Sequence, residues 1–413
     1  MTGRIVLGLG GTVDYELEWD AAAFQRLVDG YGIRLAEIED DPPSAVPGGR
    51  GIVLAVLRSM HRGRGCECYV EDKSRLLAFD ARFHHRVTLG GTGVRAALAM
   101  SRLGVASTVH LVSISDEVRR GLPQGVSWLC SAEEDSLDPH VIVQYPHGAA
   151  VRLVDGTVVA GRPNRVILVN DEPNERMVLS RGLPAALRQA SAVLISGLNT
   201  MKKADDLRAR LAELAGMLRG VPQGVPVVYE DAGFHDEAMR AVVLEVMPSL
   251  VSVHSLNEDE ARHYLGRQVD LTDPQEVAAM MRGLKGILGA PTVMVHTSRY
   301  AACVGAQAGL YRDAARAGCL LASTRFAHGD RYGRAEYDAV AASPREPVGV
   351  ALAGAVETRR AGVLIAPGYD VRTAAPTTIG LGDAFIGGVM AHLAASGGGA
   401  REAAQEAGPR PAA

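Results

Sequence analysis

The sequence predicts an α/β chain: a mostly parallel sheet with helices between its strands, interrupted by a separate small sheet. Three observations carry this. Short runs rich in Val, Ile and Leu alternate with longer segments of helical period, which implies right-handed β-α-β crossovers. One stretch, from Val141 to Ser180, alternates with a period of two and breaks that rhythm. The length of 413 residues, 47% of them apolar, suits one large α/β unit or two domains with a sizeable core.

Taken in order, "RIVLGLG" (4–10) reads as a buried strand that ends in glycines. "TGVRAALAMSRLG" (92–104) reads as a helix and "ASTVHLVSI" (106–114) as the strand after it. The runs "VIVQYP" (141–146), "AVRLVDGTVVAG" (150–161) and "NRVILVNDEPNERMVLS" (164–180) read as antiparallel strands, with turns at Asp155-Gly156 and around Pro173. The regular series then resumes with strands "ASAVLISGL" (190–198), "VPVVYEDAG" (225–233), "LVSVHSLN" (250–257) and "PTVMVHTS" (291–298). Helices "ADDLRARLAELAGMLRG" (204–220) and "DPQEVAAMMRGLKGILG" (273–289) lie between them. The polar segment Ser323–Val348, with Gly, Pro and Arg, reads as loop, and the Gly/Ala/Pro-rich segment 395–413 as a disordered tail.

Composition excludes several functions. Net charge is −4, with acids and bases interspersed and no basic stripe to track nucleic acid. The one basic cluster, Arg58 to Arg64, reads as a solvated loop. No apolar run approaches the roughly 20 residues of a membrane span. The opening "MTGRIVLGLGG" lacks the features of a signal peptide, which predicts a cytoplasmic chain. The five cysteines are scattered, and Cys66-x-Cys68 lacks zinc spacing, so neither a disulfide framework nor a zinc site is expected.

In open parallel sheets ligands bind beyond the carboxyl ends of the strands, and the polar candidates follow strands. In "TTIGLGDAFIGG" (377–388) Gly380, Leu381 and Gly382 precede a helix that starts at Asp383. A helix N-terminus with bare backbone suits phosphate. Asp383 there is either an N-cap or a general base beside that phosphate. Gly387 and Gly388 each weaken a helix by roughly 1 kcal/mol, which makes sense where something must pack very close. Asn257 and Glu260, three apart at a helix start, either form a capping box or present oxygen donors to Mg²⁺. Glu230 and Asp231 end a strand, where a carboxylate joins such a metal site or is simply solvated. Gly90 and Gly91 precede a helix as a close-approach site or a plain turn. "GLGGTVDYELEWD" fails the G-x-G-x-x-G dinucleotide pattern, since Val13 stands at the last glycine position, and leaves Asp14 to accept hydrogen bonds from a polyol.

The order of these features resembles the ribokinase-like sugar kinases, and most closely the ADP-dependent phosphofructokinase/glucokinase family. The resemblance is carried by "APTTIGLGD" (375–383), "SVHSLNEDEA" (252–261), "VHT" (295–297), "ISGLN" (195–199) and "LGGTGVRAALA" (89–99), scattered over roughly residues 1–390. It implies a doubly wound α/β core within one kinase unit, 1–394, and a smaller, discontinuous β-rich lid from about 12–88 and 140–182. It implies an Mg²⁺-dependent phosphotransferase with an alcohol group as acceptor. The acceptor is a sugar or sugar phosphate of the glucose or fructose 6-phosphate type and the donor is ADP, with ATP as the alternative. A binding protein without activity is the alternative of another class. By the same resemblance Asp383 is the base and the N–H groups of Gly380, Leu381 and Gly382 form the anion hole. Glu230, Glu260, Asn257 and Asp383 serve the metal, Asp14, Gly90 and Gly91 the sugar, and His296 and Thr297 the nucleotide. Arg165, Arg176 and Arg181 are open candidates for the donor phosphate. The chain departs from the family at Val228, where H-x-E is usual, at Thr12, where Asn is usual, and at "GGTG" and "AFIGG".

Overall fold

The computed structural model describes residues 4–406 apart from 235, 359–361, 375 and 378. Its centre is a nine-stranded sheet. In spatial order the strands are Val363–Pro367, Tyr300–Gly305, Thr292–His296, Val253–Asn257, Val227–Glu230, Ala190–Ile195, Arg4–Leu7, Ser107–Leu111 and Val126–Cys130. Only Tyr300–Gly305 runs against the others. The chain starts in the middle at Arg4–Leu7, winds to one side through Ser107–Leu111, and then resumes on the other side at Ala190–Ile195. This is the doubly wound order, and the switch point opens at the carboxyl ends of Arg4–Leu7 and Ala190–Ile195.

Strand alternation builds the two layers. Ile5 and Leu7 face one core, with Val109, Ala192, Leu194 and the helices Thr92–Ser101, Ala308–His328 and Leu381–Glu406. Val6, Val193 and Ile195 face the opposite core, with Leu207, Leu211 and Leu214 of helix Ala204–Leu218. A third core lies outside this sheet. A six-stranded sheet, ordered Ala45–Val46, Cys66–Val70, Asn164–Val169, His140–Tyr145, Thr12–Leu17 and His85–Gly90, packs Val70, Val143 and Leu168 against helices Ala21–Tyr31 and Arg50–Arg62. Its opposite face carries Asp14, Glu16, Glu67, His140, Gln144 and Arg165, by register.

Several expectations are corrected. The small sheet is mixed, not antiparallel, because Thr12–Leu17 and Cys66–Val70 insert as parallel neighbours. Residues 150–159 form their own hairpin, Ala150–Arg152 with Thr157–Val159, and Pro173 opens the short helix Glu172–Arg176, capped by Asp171. The segment Ser323–Val348 is largely helical: Ala308–His328 runs through its start, Arg334–Ala341 follows, and Pro347–Thr358 begins at its end. Its polar composition marks surface helices, in which Thr324 and Val340 still face inward. The basic run Arg58–Arg64 is not a loop but the end of helix Arg50–Arg62, with Arg58 near Asp40 at 3.3 Å. Helix Leu381–Glu406 continues well into the segment whose composition suggested a disordered tail, because its apolar face is already held by the core; residues 407–413 lie outside the described residues.

Candidate active site

Helix Leu381–Glu406 opens two residues earlier than the sequence suggests. Gly380 holds φ 69°, and its carbonyl accepts from the Ala384 N–H at 3.0 Å. Gly380 therefore occupies the cap position, and Asp383 sits in the first helical turn, where no backbone N–H among the described residues bonds its carboxylate. The first-turn N–H groups have no carbonyl one turn back to bond. A Cβ on Gly380 would stand 3.3 Å from Arg95 Nη1 and 3.5 Å from Arg325 Nε, so both guanidinium groups close on this turn. Burial raises the Asp383 carboxyl above its ordinary pKa; the Arg95 charge opposes that and the Glu230 charge adds to it. A hydrogen bond ties Asp383 to Thr92, the first residue of helix Thr92–Ser101. Two glycine-led helix N-termini thus converge on one carboxylate.

"AFIGG" has a packing explanation. A Cβ on Gly387 would lie 3.0 Å from Ala96 O, and one on Gly388 2.8 Å from the Ala317 carbonyl carbon and from Gly318 Cα. The helix of Asp383 is clamped, backbone to backbone, between Thr92–Ser101 and Ala308–His328.

Asp14 is buried, accepting from Thr12 Oγ1 at 2.7 Å and from Arg95 Nη2 at 2.7 Å. It is therefore not idle, but Arg95 links it to Asp383. A Cβ on Gly90 would fall 2.7 Å from Asp14 Oδ1, so only glycine leaves room for this carboxylate. Gly91, at φ 85°, packs on Gly11 Cα, where a Cβ would approach to 2.9 Å.

Asn257 and Glu260 do form the capping box: Asn257 Oδ1 accepts from Glu260 N at 3.0 Å and Glu260 Oε2 accepts from Asn257 N at 2.8 Å. One Glu260 oxygen is left for other work. Burial first, then the charges of Glu230 and Asp231, push its pKa up to about 7, against the Asn257 N–H that favours the carboxylate. Glu230 Oε1 accepts from His296 Nε2 at 2.8 Å, while its Oε2 is buried with no hydrogen-bond partner among the described residues. His296 also packs on Phe385 of the Asp383 helix, ring centroids 4.7 Å apart. Crowded carboxylates with an orphaned buried oxygen fit a divalent cation, which would relieve both. Among the described residues no group of three or more His, Cys, Asp or Glu is close enough to hold a metal ion directly.

Other candidates sort differently. Asp231 is a structural hub, accepting from Tyr264 Oη at 2.5 Å and Ala232 N at 2.8 Å and paired with His254 at 3.0 Å. Thr297 closes the turn to Tyr300, its Oγ1 donating to Tyr300 O at 2.9 Å. Arg176 pairs with Glu172 on the surface, and Arg181 is exposed. Arg165 stands on the polar face of the six-stranded sheet by register and is exposed; partial desolvation and the Arg95 charge lower its pKa while Glu16 and Asp383 oppose that. Sequence reasoning missed Arg95 and Arg325. Arg95 lay unremarked inside "GGTGVRAALA", and Arg325 fell in the segment read as loop; it is held by Ile379 O at 3.2 Å and by Asp330.

A sequence profile described as the ADP-specific Phosphofructokinase/Glucokinase conserved region matches residues 3–388. The chain belongs to that family. It is accordingly an ADP-dependent sugar kinase, a phosphotransferase with an alcohol group as acceptor. Solved structures share its fold. A hypothetical ADP-dependent phosphofructokinase from Pyrococcus horikoshii OT3 is 16% identical with a TM-score of 0.79, covering 95% of this chain and 98% of that one. The last common ancestor of ADP-dependent phosphofructokinases from Methanosarcinales is 16% identical with a TM-score of 0.73, covering 95% and 94%. An ADP-dependent kinase in complex with fructose-6-phosphate and ADPβS is 16% identical with a TM-score of 0.68, covering 95% and 94%. No curated protein matches the sequence significantly. The resemblance inferred from the motifs and the ribokinase-like fold class are borne out. Among the described residues no helix is long and apolar enough to cross a membrane.

Proposed function

We propose that Asp383 is the general base of phosphoryl transfer from ADP to a sugar hydroxyl held over Asp14. The acceptor oxygen bonds to the β-phosphorus, the bridging P–O bond breaks, AMP leaves, and the acceptor proton passes to Asp383. The N–H groups of Gly380, Leu381 and Gly382 and the guanidinium groups of Arg95 and Arg325 receive the transferring phosphoryl, with Arg165 reaching it from the opposite wall. Asp14 orients the acceptor, with the bare backbone of Gly90 and Gly91 beside it. Glu230, Glu260 and Asn257 would hold Mg²⁺ through its waters, and the ion when bound would supply neutralisation of donor phosphate charge. His296 keeps Glu230 turned toward that site and stands near the nucleotide. Thr297 lies at the same end, on the nucleotide side.

The six-stranded sheet, from residues 12–90 and 140–169, acts as the lid. Its polar face closes on the core and excludes water, the competing acceptor. The reading also places the chain in the cytoplasm.

The observation that carries the proposal is a first-turn aspartate with no capping role, facing two arginines beside a glycine-led helix start. Steady-state assays with ADP and ATP as donors test it. Asp383→Asn is expected to lower kcat by about 10²–10⁴-fold with the ADP KM little changed. Near wild-type turnover by this variant refutes the assignment, and transfer from ATP alone refutes the donor.

A further inference from the structure

A cavity of about 360 Å³ lies between the polar face of the six-stranded sheet and the core. Glu67, Tyr69, His140 and Val169 line its sheet side; the turn Leu198–Thr200, Met201, Lys202, Phe234 and Met239 line its core side. It lies beside the Asp14 site. His140 stands in register with Asp14, and Asn174 at the cavity edge donates from Nδ2 to Gly11 O at 2.9 Å. From Asp14 to Tyr69 the sheet crosses three strand spacings, about 14 Å, which is longer than a single sugar ring.

Its charges rule against a phosphorylated end. His140 is paired with Asp171 at 3.1 Å. Lys202 is paired with Glu175 at 2.6 Å and covers the Tyr69 ring at 3.1 Å from its centroid. Glu67 and Asp236 add two more carboxylates. Both cations that line the cavity are thus engaged, and an entering phosphate would meet net negative charge. One stretch of the wall is apolar: Met201 and Met239 are buried, with Val169 and the half-buried Phe234, while Ser44 and Thr200 add hydroxyls. Asn199 lines the same cavity, and among the described residues its amide donates one long hydrogen bond, 3.4 Å to Gly233 O.

We propose that the acceptor is an uncharged glycoside bearing a planar ring, in its simplest form a nucleoside, with the ring in this cavity and a ribosyl hydroxyl at Asp383. This rests on the reading of Asp383 as base and Asp14 as acceptor ligand. The planar ring lies along the Phe234 and methionine wall, where aromatic and thioether contacts favour it, and Asn199 meets its polar edge.

The test uses the full chain with ADP and Mg²⁺, following AMP release. Acceptors are inosine, adenosine, cytidine, ribose, glucose, maltose and fructose 6-phosphate. At least one nucleoside is expected to show a KM ten-fold or more below ribose, glucose and fructose 6-phosphate. Asn199→Trp, which fills the cavity from its rim, is expected to raise that KM at least ten-fold, and more than the KM for ribose, with an unchanged melting temperature. Phe234→Ala is expected to raise it in the same sense. A lower KM for glucose, maltose or fructose 6-phosphate than for every nucleoside overturns the proposal, as does an unchanged nucleoside KM in Asn199→Trp. If no acceptor is phosphorylated, the kinase reading fails, and calorimetry with the nucleosides judges the cavity separately. Binding that Asn199→Trp abolishes supports it; no binding overturns it.

Discussion

Replacing Gly388 by alanine tests whether the position of the Asp383 carboxylate is set by helix packing. The added Cβ would stand 2.8 Å from the Ala317 carbonyl carbon and from Gly318 Cα, and closer still to Ala317 O. Ordinary contact begins at 3.4 Å, so the helix must retreat by about 3.4 − 2.8 = 0.6 Å or more. All the opposing atoms are backbone of helix Ala308–His328, so no side chain can swing aside. Overpacking of this kind costs about 1–3 kcal/mol, and the better helix propensity of alanine returns roughly 1 kcal/mol. A net loss of up to about 2 kcal/mol is expected from urea unfolding followed by circular dichroism. Asp383 lies five residues away on the same rigid helix, about 7.5 Å along its axis, so the retreat is passed on to it. A displacement approaching 1 Å at reacting groups costs on the order of 10²-fold; kcat is therefore expected to fall about ten- to a hundred-fold with little change in KM. Gly286→Ala is the control: it sits in helix Pro274–Leu288 with nothing within 4 Å of the new Cβ, and is expected to stabilise by about 0.5–1 kcal/mol without touching kcat. A Gly388→Ala protein as stable and as active as the parent would refute the clamp.

Two further outcomes follow from the same geometry. Gly90→Ala places a Cβ 2.7 Å from Asp14 Oδ1, closer still to Oδ2 and Thr12 Oγ1, and is expected to raise the acceptor KM at least ten-fold with the ADP KM unchanged; an acceptor KM equal to that of the parent would show that Asp14 does not serve the acceptor. Glu260, with its pKa raised to about 7, binds more protons folded than unfolded between the ordinary carboxyl pKa of 4.5 and that value. Its contribution to stability accordingly falls as pH rises through this window. Glu260→Gln keeps the capping acceptor and removes the titration, so melting scans from pH 4.5 to 7.5 are expected to show the variant gaining on the parent as pH rises, and Mg²⁺ is expected to raise the melting temperature of the parent more than that of the variant. Parallel pH curves would refute the assignment.

The alternation of apolar runs with helical periods was enough to read the parallel core, because strand burial and helix amphipathicity are local patterns. Strands such as Ala190–Ile195 and Val253–Asn257 and helices such as Ala204–Leu218 are legible for that reason. The same holds for the glycine–aspartate motif at 380–383, whose residue types limit what the backbone can do. Segment Ser323–Val348 was misread because short, polar helices on the surface carry a weak periodicity; their caps and partners lie elsewhere in the chain.

What only the tertiary structure decided is how each ambiguous residue divides its duties. "DAFIGG" is compatible with a capped helix or a catalytic one. The observed start at Leu381 moves the capping duty to Gly380 and frees Asp383. Asn257 and Glu260 form their capping box and still present a carboxylate to Glu230, since one oxygen suffices for the cap. Arg95, Arg165 and Arg325 come from a helix of the core, a strand of the second sheet and a helix far along the chain. Their convergence on one carboxylate depends on distances between elements that no local pattern encodes. Residue types and spacing determined the chemistry this chain has to hand, and packing determined where it meets.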